Sequence, residues 1–187
     1  EKMYSEMEVI LQEMEDAGAD VNMMFIHWGN EYQREPSEEQ RNLAQWLISQ
    51  GVDHIIGNHP HVVQPIEIRK SESTPDKHVI AYSTGNLVSN MSLRRTDGGM
   101  MIAMKLLKIL NYTRARDVRY LLTWIAPKSE DGKRDFTIYP AATTKIEGWE
   151  HAEQKRQQFI NDSRSLFNKH NKGDIREMSI DTVRISR

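Results

Sequence analysis

The stretch VDHIIGNHPH, residues 52–61, decides how this chain is read. Its first half is short and apolar, with Val52, Ile55 and Ile56, as expected of a strand buried on both faces. Its second half sets two imidazoles, His59 and His61, on either side of Pro60. Upstream, residues 38–50 carry Leu43, Trp46 and Leu47 at helical spacing and stop before Gly51, and Ser37 stands three residues ahead of Gln40 in a capping-box pattern. The local order is therefore helix, glycine, strand, histidine.

The same order occurs one unit earlier. Met3, Met7, Ile10, Leu11, Met14 and Ala17 recur at helical spacing over residues 3–17, and Gly18 follows where a left-handed cap sits. Residues 21–26 then form a mostly apolar run that ends in His27-Trp28-Gly29. Two such units predict neighbouring parallel strands in an α/β arrangement, where ligands collect outside the carboxyl ends of the strands.

Further on the chain turns β-rich. Residues 62–68, 79–83, 99–110, 116–125 and 136–139 read as strands, with Asp131-Gly132 as a hairpin turn. Residues 149–167 read as a closing helix with Phe159, Ile160, Leu166 and Phe167 on one side. Residues 1–168 are expected to form one domain, and residues 169–187 a polar, weakly patterned tail.

Composition narrows the function. The 187 residues hold 25 basic and 27 acidic side chains, a net charge of −2. No broad basic field exists for nucleic acid to bind. The apolar runs fall far short of the roughly 20 residues a membrane helix needs. With no cysteine, disulfides, thiolate zinc sites and cysteine nucleophiles are excluded. The chain begins at Glu1 and runs at once into a helix, which reads as a piece of a longer protein.

If residues 59–61 are extended, His59 and His61 face one side, and Pro60 stiffens the backbone between them. Neutral imidazole binds zinc, iron and manganese at about 2.0–2.2 Å. His27, at the tip of the neighbouring strand, supplies a third ring. The plainer reading is three strand-end or turn histidines with no metal. His54, His78, His151 and His170 read as packing or solvated residues. Glu31, close to His27, suits orienting a ligand or acid–base work, or is simply solvated. Arg94-Arg95 lies in a long loop and either holds a phosphate or carboxylate or forms a solvated face. Met100, Met101 and Met104 read as core. No glycine-rich phosphate loop, nucleophile elbow or Ser/His/Asp ordering is present.

The order HWGNEY at residues 27–32, Pro36 and Gln40, GNHPHVVQPIE at 57–67 and YSTGNL at 82–87 resembles the CapA-type family of poly-γ-glutamate capsule-biosynthesis proteins, over about residues 1–110. That family in turn resembles the calcineurin-like metallophosphoesterases. The resemblance implies the carboxyl-terminal part of a metallophosphoesterase-like β-sandwich flanked by helices, an α/β (α+β) fold. It implies His27, His59 and His61 as metal ligands and Asn58, Glu31, Tyr32 and Asn86 as site-lining residues, and it assigns no catalytic residue.

The family's aspartates, which include the metal-bridging ligand, and its Asn-His pair belong upstream of anything in this chain. Two divalent ions (Mn, Fe or Zn) are thus expected in a full-length protein and at most one, weakly, here, because the bridging carboxylate is not among these residues. The isolated chain is expected to be inactive. The implied partners are the missing amino-terminal part of the domain, a second copy by self-association, and an anionic polymer or phosphate-ester substrate. The implied location is the bacterial cell envelope. A rival reading is a non-catalytic binding or scaffold subunit of polymer synthesis and export. A third is a general α/β protein with structural histidines.

Overall fold

Two helix–strand units open the fold, as the sequence predicts. The computed structural model describes residues 2–70, 77–110, 112–126, 136–141 and 150–178. Helix α1 spans Lys2–Asp16, strand β1 Met23–His27, helix α2 Glu38–Ser49 and strand β2 His54–Asn58. The capping box forms: the Ser37 hydroxyl accepts from the Gln40 N–H at 3.2 Å, and the Gln40 side-chain oxygen accepts from the Ser37 N–H at 3.0 Å. Strands β1 and β2 pair in parallel, with Ile26 opposite Gly57 and His27 opposite Asn58. Strand β2 begins later than its apolar residues suggest, because Val52 donates to Leu47 O at the end of α2. It also runs on through Gly57 and Asn58, which pair with β1.

Strands β3 (Ile66–Lys70) and β4 (Lys77–Ala81) complete a first sheet of order β1-β2-β4-β3, with only β3 antiparallel. Residues 62–65, expected as strand, are not regular. Pro65 has no N–H for a ladder, and the stretch is held instead by a single Val63–Thr84 bridge and a Gln64 N–H to Ser83 O bond of 3.0 Å.

A second, mostly antiparallel sheet follows from β5 (Gly98–Ile109), β6 (Tyr112–Ile125) and β7 (Ile138–Pro140). Helix α3 covers Glu150–His170, and a short β8 (Arg176–Glu177) lies parallel to β6. The Asp131-Gly132 turn lies outside the described residues.

Two apolar clusters hold these layers. The larger joins the first sheet (Val63, Ile66, Val79, Ala81) to the second (Met100, Val118, Tyr120, Leu122, Trp124) and to α3 (Phe159, Ile160, Leu166, Phe167). The smaller packs Leu11 of α1 and Ala44 and Leu47 of α2 against Ile55 and Ile80. Helices thus flank β layers, the expected α+β class. Met100 is core and Met104 packs against it, but Met101 is 49% exposed. Adjacent strand residues face opposite sides, so the three methionines do not act as one apolar group.

The stretch after Asn168 is tied down where it is described. Lys172 exchanges backbone bonds with Ile66 (3.0 Å) and Ile68 (2.7 Å), Asn171 Oδ1 accepts from the Ile66 N–H at 2.8 Å, and Arg164 pairs with Glu177. Strand β1 ends the first sheet, and its Phe25 is 73% exposed.

Candidate metal centre

The strand tips of β1 and β2 are locked together beneath the histidines. The Trp28 N–H donates to Asn58 O (3.0 Å), and the Thr84 N–H donates to Gly57 O (3.0 Å). The Trp28 indole N–H donates to Tyr82 O at 2.8 Å, and the two rings stack 5.9 Å apart. Gly57 sits under this bond. A Cβ there would come within 2.2 Å of both Trp28 Nε1 and Tyr82 O, so no side chain fits.

On this floor stand the three histidines. The rings of His27 and His59 are 4.4 Å apart between centroids, and those of His59 and His61 are 6.1 Å apart. The route to this arrangement differs from the expected one. Residues 59–61 are not extended: His59 has φ 109° and His61 φ 59°, both left-handed. Asn58 starts the turn by accepting the His59 N–H on Oδ1 at 2.8 Å. Tyr32, also left-handed at φ 64°, donates its N–H to Pro60 O at 2.8 Å. Three left-handed residues that are not glycine store strain in the two loops that face each other here, a pattern common at functional sites.

The orientation of His61 is set by Asn86. The Asn86 amide nitrogen donates to His61 O (3.3 Å) and to Thr96 O (2.8 Å), which turns its oxygen toward His61 Nδ1 at 3.2 Å. Nδ1 therefore carries the proton. In the neutral ring Nε2 then presents its lone pair, and it faces Glu31 Oε1 at 3.7 Å. A proton-holding partner behind a ligating imidazole is the usual outer support of a metal site. The Tyr32 ring stands 6.2 Å from that of His61.

The spacing suits a cation. A ring centroid lies about 3.3 Å from an ion bound at about 2.1 Å, so two imidazoles at a tetrahedral angle stand about 5.3 Å apart, and two donor atoms on one ion stand about 3.4 Å apart. The ring pairs fall on either side of the first figure, and the His61–Glu31 pair, at 3.7 Å, stands slightly beyond the second. The rings themselves do not converge: among the described residues no group of three or more His, Asp or Glu side chains closes on one point as a bound metal requires. The backbone brings the three histidines and Glu31 near one another without aiming their side chains at a common point.

A profile of the family described as "Bacterial capsule synthesis protein PGA_cap" matches residues 2–91, the span that carries His27, Glu31, Tyr32, Asn58, His59, His61 and Asn86. Residues 2–91, just under half of the chain, are thus similar to that capsule synthesis family. Over 90 residues, 48% of the chain, the sequence is 38% identical to the PGA biosynthesis protein CapA of Bacillus subtilis (strain 168). Over 84 residues, 45% of the chain, it is 36% identical to the capsule biosynthesis protein CapA of Bacillus anthracis. These stretches cover 22% and 19% of the two relatives, so the chain spans about a fifth of their length.

The remaining histidines of the capsule-family span have structural partners. His54 is buried and accepts the Val79 N–H on Nδ1 at 3.2 Å, and burial lowers its pKa. His78 contacts Asp53 O at 3.1 Å. Outside that span, His170 lies 3.6 Å from Glu35, and His151 is exposed.

Several residues that shape the site gave no sequence signal of their own. Gln64 is fully buried; its amide nitrogen donates to Gln33 O (2.9 Å) and Glu35 O (3.3 Å), and its oxygen accepts from Gln40 at 2.9 Å. This amide pair fastens the loop that carries Glu31 and Tyr32. Gly29, at φ 83°, lets the loop pass over Gln40, whose amide would lie 2.7 Å from any Cβ. Gln64 and Gln40 fall within the stretches that resemble the capsule family, and a glutamine between Val63 and Pro65 in an otherwise apolar run was the available clue.

Proposed function

We propose that this chain contributes part of a metal-dependent hydrolase site, of the phosphoesterase type, to a protein of bacterial capsule synthesis. The observation that carries the reading is the delivery of His27, His59 and His61 to adjoining tips of two parallel strands, with ring centroids 4.4 and 6.1 Å apart. The capsule setting is taken from the family and its named relatives; a poly-γ-glutamate product and a place in the cell envelope are proposed from the sequence resemblance alone.

In this reading the three imidazoles, with Glu31 beside His61, hold a divalent ion (manganese, iron or zinc), which when bound supplies Lewis-acid polarisation of an ester and a more acidic water. The protein's own residues do the rest. Asn86 keeps the proton of His61 on Nδ1 and leaves Nε2 free to bind. Asn58 and Trp28 fix the strand tips, and Tyr32 lines the opening opposite His61. The substrate is a phosphate ester or an anionic polymer. A second ion needs a bridging carboxylate from elsewhere in the longer protein.

The test is hydrolysis of a chromogenic phosphodiester or monoester by the full-length protein loaded with manganese, iron or zinc, together with its metal content by elemental analysis. Activity that disappears in His59→Ala and His61→Ala is expected. A protein that holds no metal and hydrolyses neither ester overturns the reading. One observation favours a second reading, a non-catalytic binding or scaffold subunit: the three rings do not close on a point. That reading predicts metal content and ester hydrolysis indistinguishable from background, with polymer binding kept.

A further inference from the structure

On segments that continue from those of the histidine site, three arginines converge on one aspartate. Arg94 grips Asp162 with two bonds of 2.8 Å, Arg95 Nε donates to the same carboxylate at 3.0 Å, and Arg34 donates to the Asp162 backbone carbonyl. The elements that carry them are those of the histidine site. Arg34 follows Tyr32 by two residues. Arg95 precedes Thr96, whose carbonyl accepts the Asn86 amide that orients His61.

The charges do not balance. Three guanidiniums gather at one aspartate, Arg94 and Arg95 on its carboxylate and Arg34 on its backbone carbonyl, and no other carboxylate among the described residues pairs with them. Burial of Arg34 lowers its pKa, the neighbouring charges of Arg95 and Arg94 push it the same way, and Asp162 only partly offsets them. Each guanidinium carries about five N–H donors in a planar fork. Arg34 uses one, Arg94 two and Arg95 one. The side chains of Arg94 and Arg95 remain 53% and 38% exposed, whereas Asp162 is only 16% exposed. Solvent therefore reaches the cations more than the anion that holds them. Arg95 is also held in a left-handed backbone conformation, at φ 75°.

A surface ion pair for stability needs one arginine. Three around one acid leave positive charge and free, fork-shaped donors, the arrangement that binds phosphate and carboxylate in two-pronged fashion. We propose that Arg34, Arg94 and Arg95 form an anion-binding subsite for a phosphate or carboxylate group that a substrate carries beside its reacting ester, with Asp162 holding the arginines in place until that group arrives. The proposal rests on the hydrolase reading for the word substrate, but the subsite itself needs no metal.

The experiment is calorimetric titration of the chain at low salt in EDTA, with inorganic phosphate in one arm and a hexaglutamate peptide in the other. The stronger arm identifies which of the two groups the subsite takes. Binding of one equivalent in the millimolar range or tighter is expected. Arg34→Ala and the exposed Arg94→Gln should each weaken it at least about tenfold, the loss that removing a charged hydrogen-bond donor produces. Asp162→Asn, which removes the competing carboxylate, should strengthen it. A purely structural role predicts the reverse: lower thermal stability for Asp162→Asn and no anion binding.

The subsite is overturned if neither anion binds the wild-type chain, or if Arg94→Gln binds as the wild type does. His59→Ala serves as the separating control. It should keep anion binding. A chain that binds anions while the metal-loaded full-length protein holds no metal and hydrolyses no ester sinks the hydrolase reading alone, and an active full-length protein whose chain binds neither anion sinks the subsite alone.

Discussion

Replacing Gly57 with alanine probes the floor of the site. The backbone of Gly57 is ordinary strand, not left-handed, so the substitution adds no conformational strain; its whole effect is steric. The new methyl would sit 2.2 Å from both Trp28 Nε1 and Tyr82 O, the two ends of a buried 2.8 Å hydrogen bond. Neither is a flexible tip: one belongs to a packed indole and the other to the backbone. Relief requires the indole to move away and the bond to break. Overpacking of this kind costs about 1–3 kcal/mol, and leaving buried polar atoms unpaired costs about 1–3 kcal/mol, so the sum is about 2–6 kcal/mol. At about 2–4 °C per kcal/mol for a chain of this size, thermal unfolding by circular dichroism should shift down by about 4–24 °C. Gly18→Ala is the control. Nothing lies within 4 Å of a Cβ there, but φ is +74°, so only left-handed strain of about 1 kcal/mol applies. A Gly57→Ala protein that melts within about 2 °C of wild type, or no lower than Gly18→Ala, would refute the reasoning.

Three further outcomes are expected. His54 must stay neutral to accept the Val79 N–H, and burial lowers its folded pKa. Its contribution is complete above the unfolded value of about 6.5 and is lost as pH falls below it, since the unfolded ring takes the proton first. Urea midpoints from pH 7.5 to 5 should fall more steeply in wild type than in His54→Asn, and equal slopes would contradict this. Trp124 is fully buried and donates to Asp97 Oδ2 at 2.9 Å, while Asp97 Oδ1 has no hydrogen-bond partner among the described residues. Trp124→Phe strips the carboxyl of that bond and should cost about 2–4 kcal/mol by urea denaturation, with less than 1 kcal/mol counting against it. The open edge of β1 and its 73%-exposed Phe25 should drive self-association. Sedimentation should show oligomers that Phe25→Lys reduces, and a monomer at all concentrations would rule the edge out.

The parts of this fold that rest on local rules were legible in the sequence. The Ser37–Gln40 capping box, the helical spacing from Leu43 to Leu47, and the parallel pairing of β1 with β2 follow from spacing and from the repeated helix–glycine–strand order. The grouping of His27, His59 and His61 at strand tips was legible for the same reason. What was not legible depends on contacts distant in sequence. The left-handed turn at His59 and His61 exists because Asn58, Tyr32 and Asn86 each bond into it, and no residue within 59–61 announces this. Likewise Arg94-Arg95 reads as an ordinary basic loop until Asp162, on α3, and Arg34 are seen beside it. Strand ends shifted by two to four residues wherever a proline or a helix-end turn claimed a backbone donor, as at Pro65 and Val52.

The most direct test of the central claim is calorimetric titration of the isolated chain with zinc or manganese, in wild type and in His27→Ala, His59→Ala and His54→Ala. One weakly bound ion is predicted, weaker below about pH 6.5 as imidazole takes up protons. The ion should be lost in His59→Ala, weakened in His27→Ala and kept in His54→Ala. A wild-type chain that binds no ion at neutral pH, or a His54→Ala chain as impaired as His59→Ala, would contradict the assignment of these three histidines as ligands.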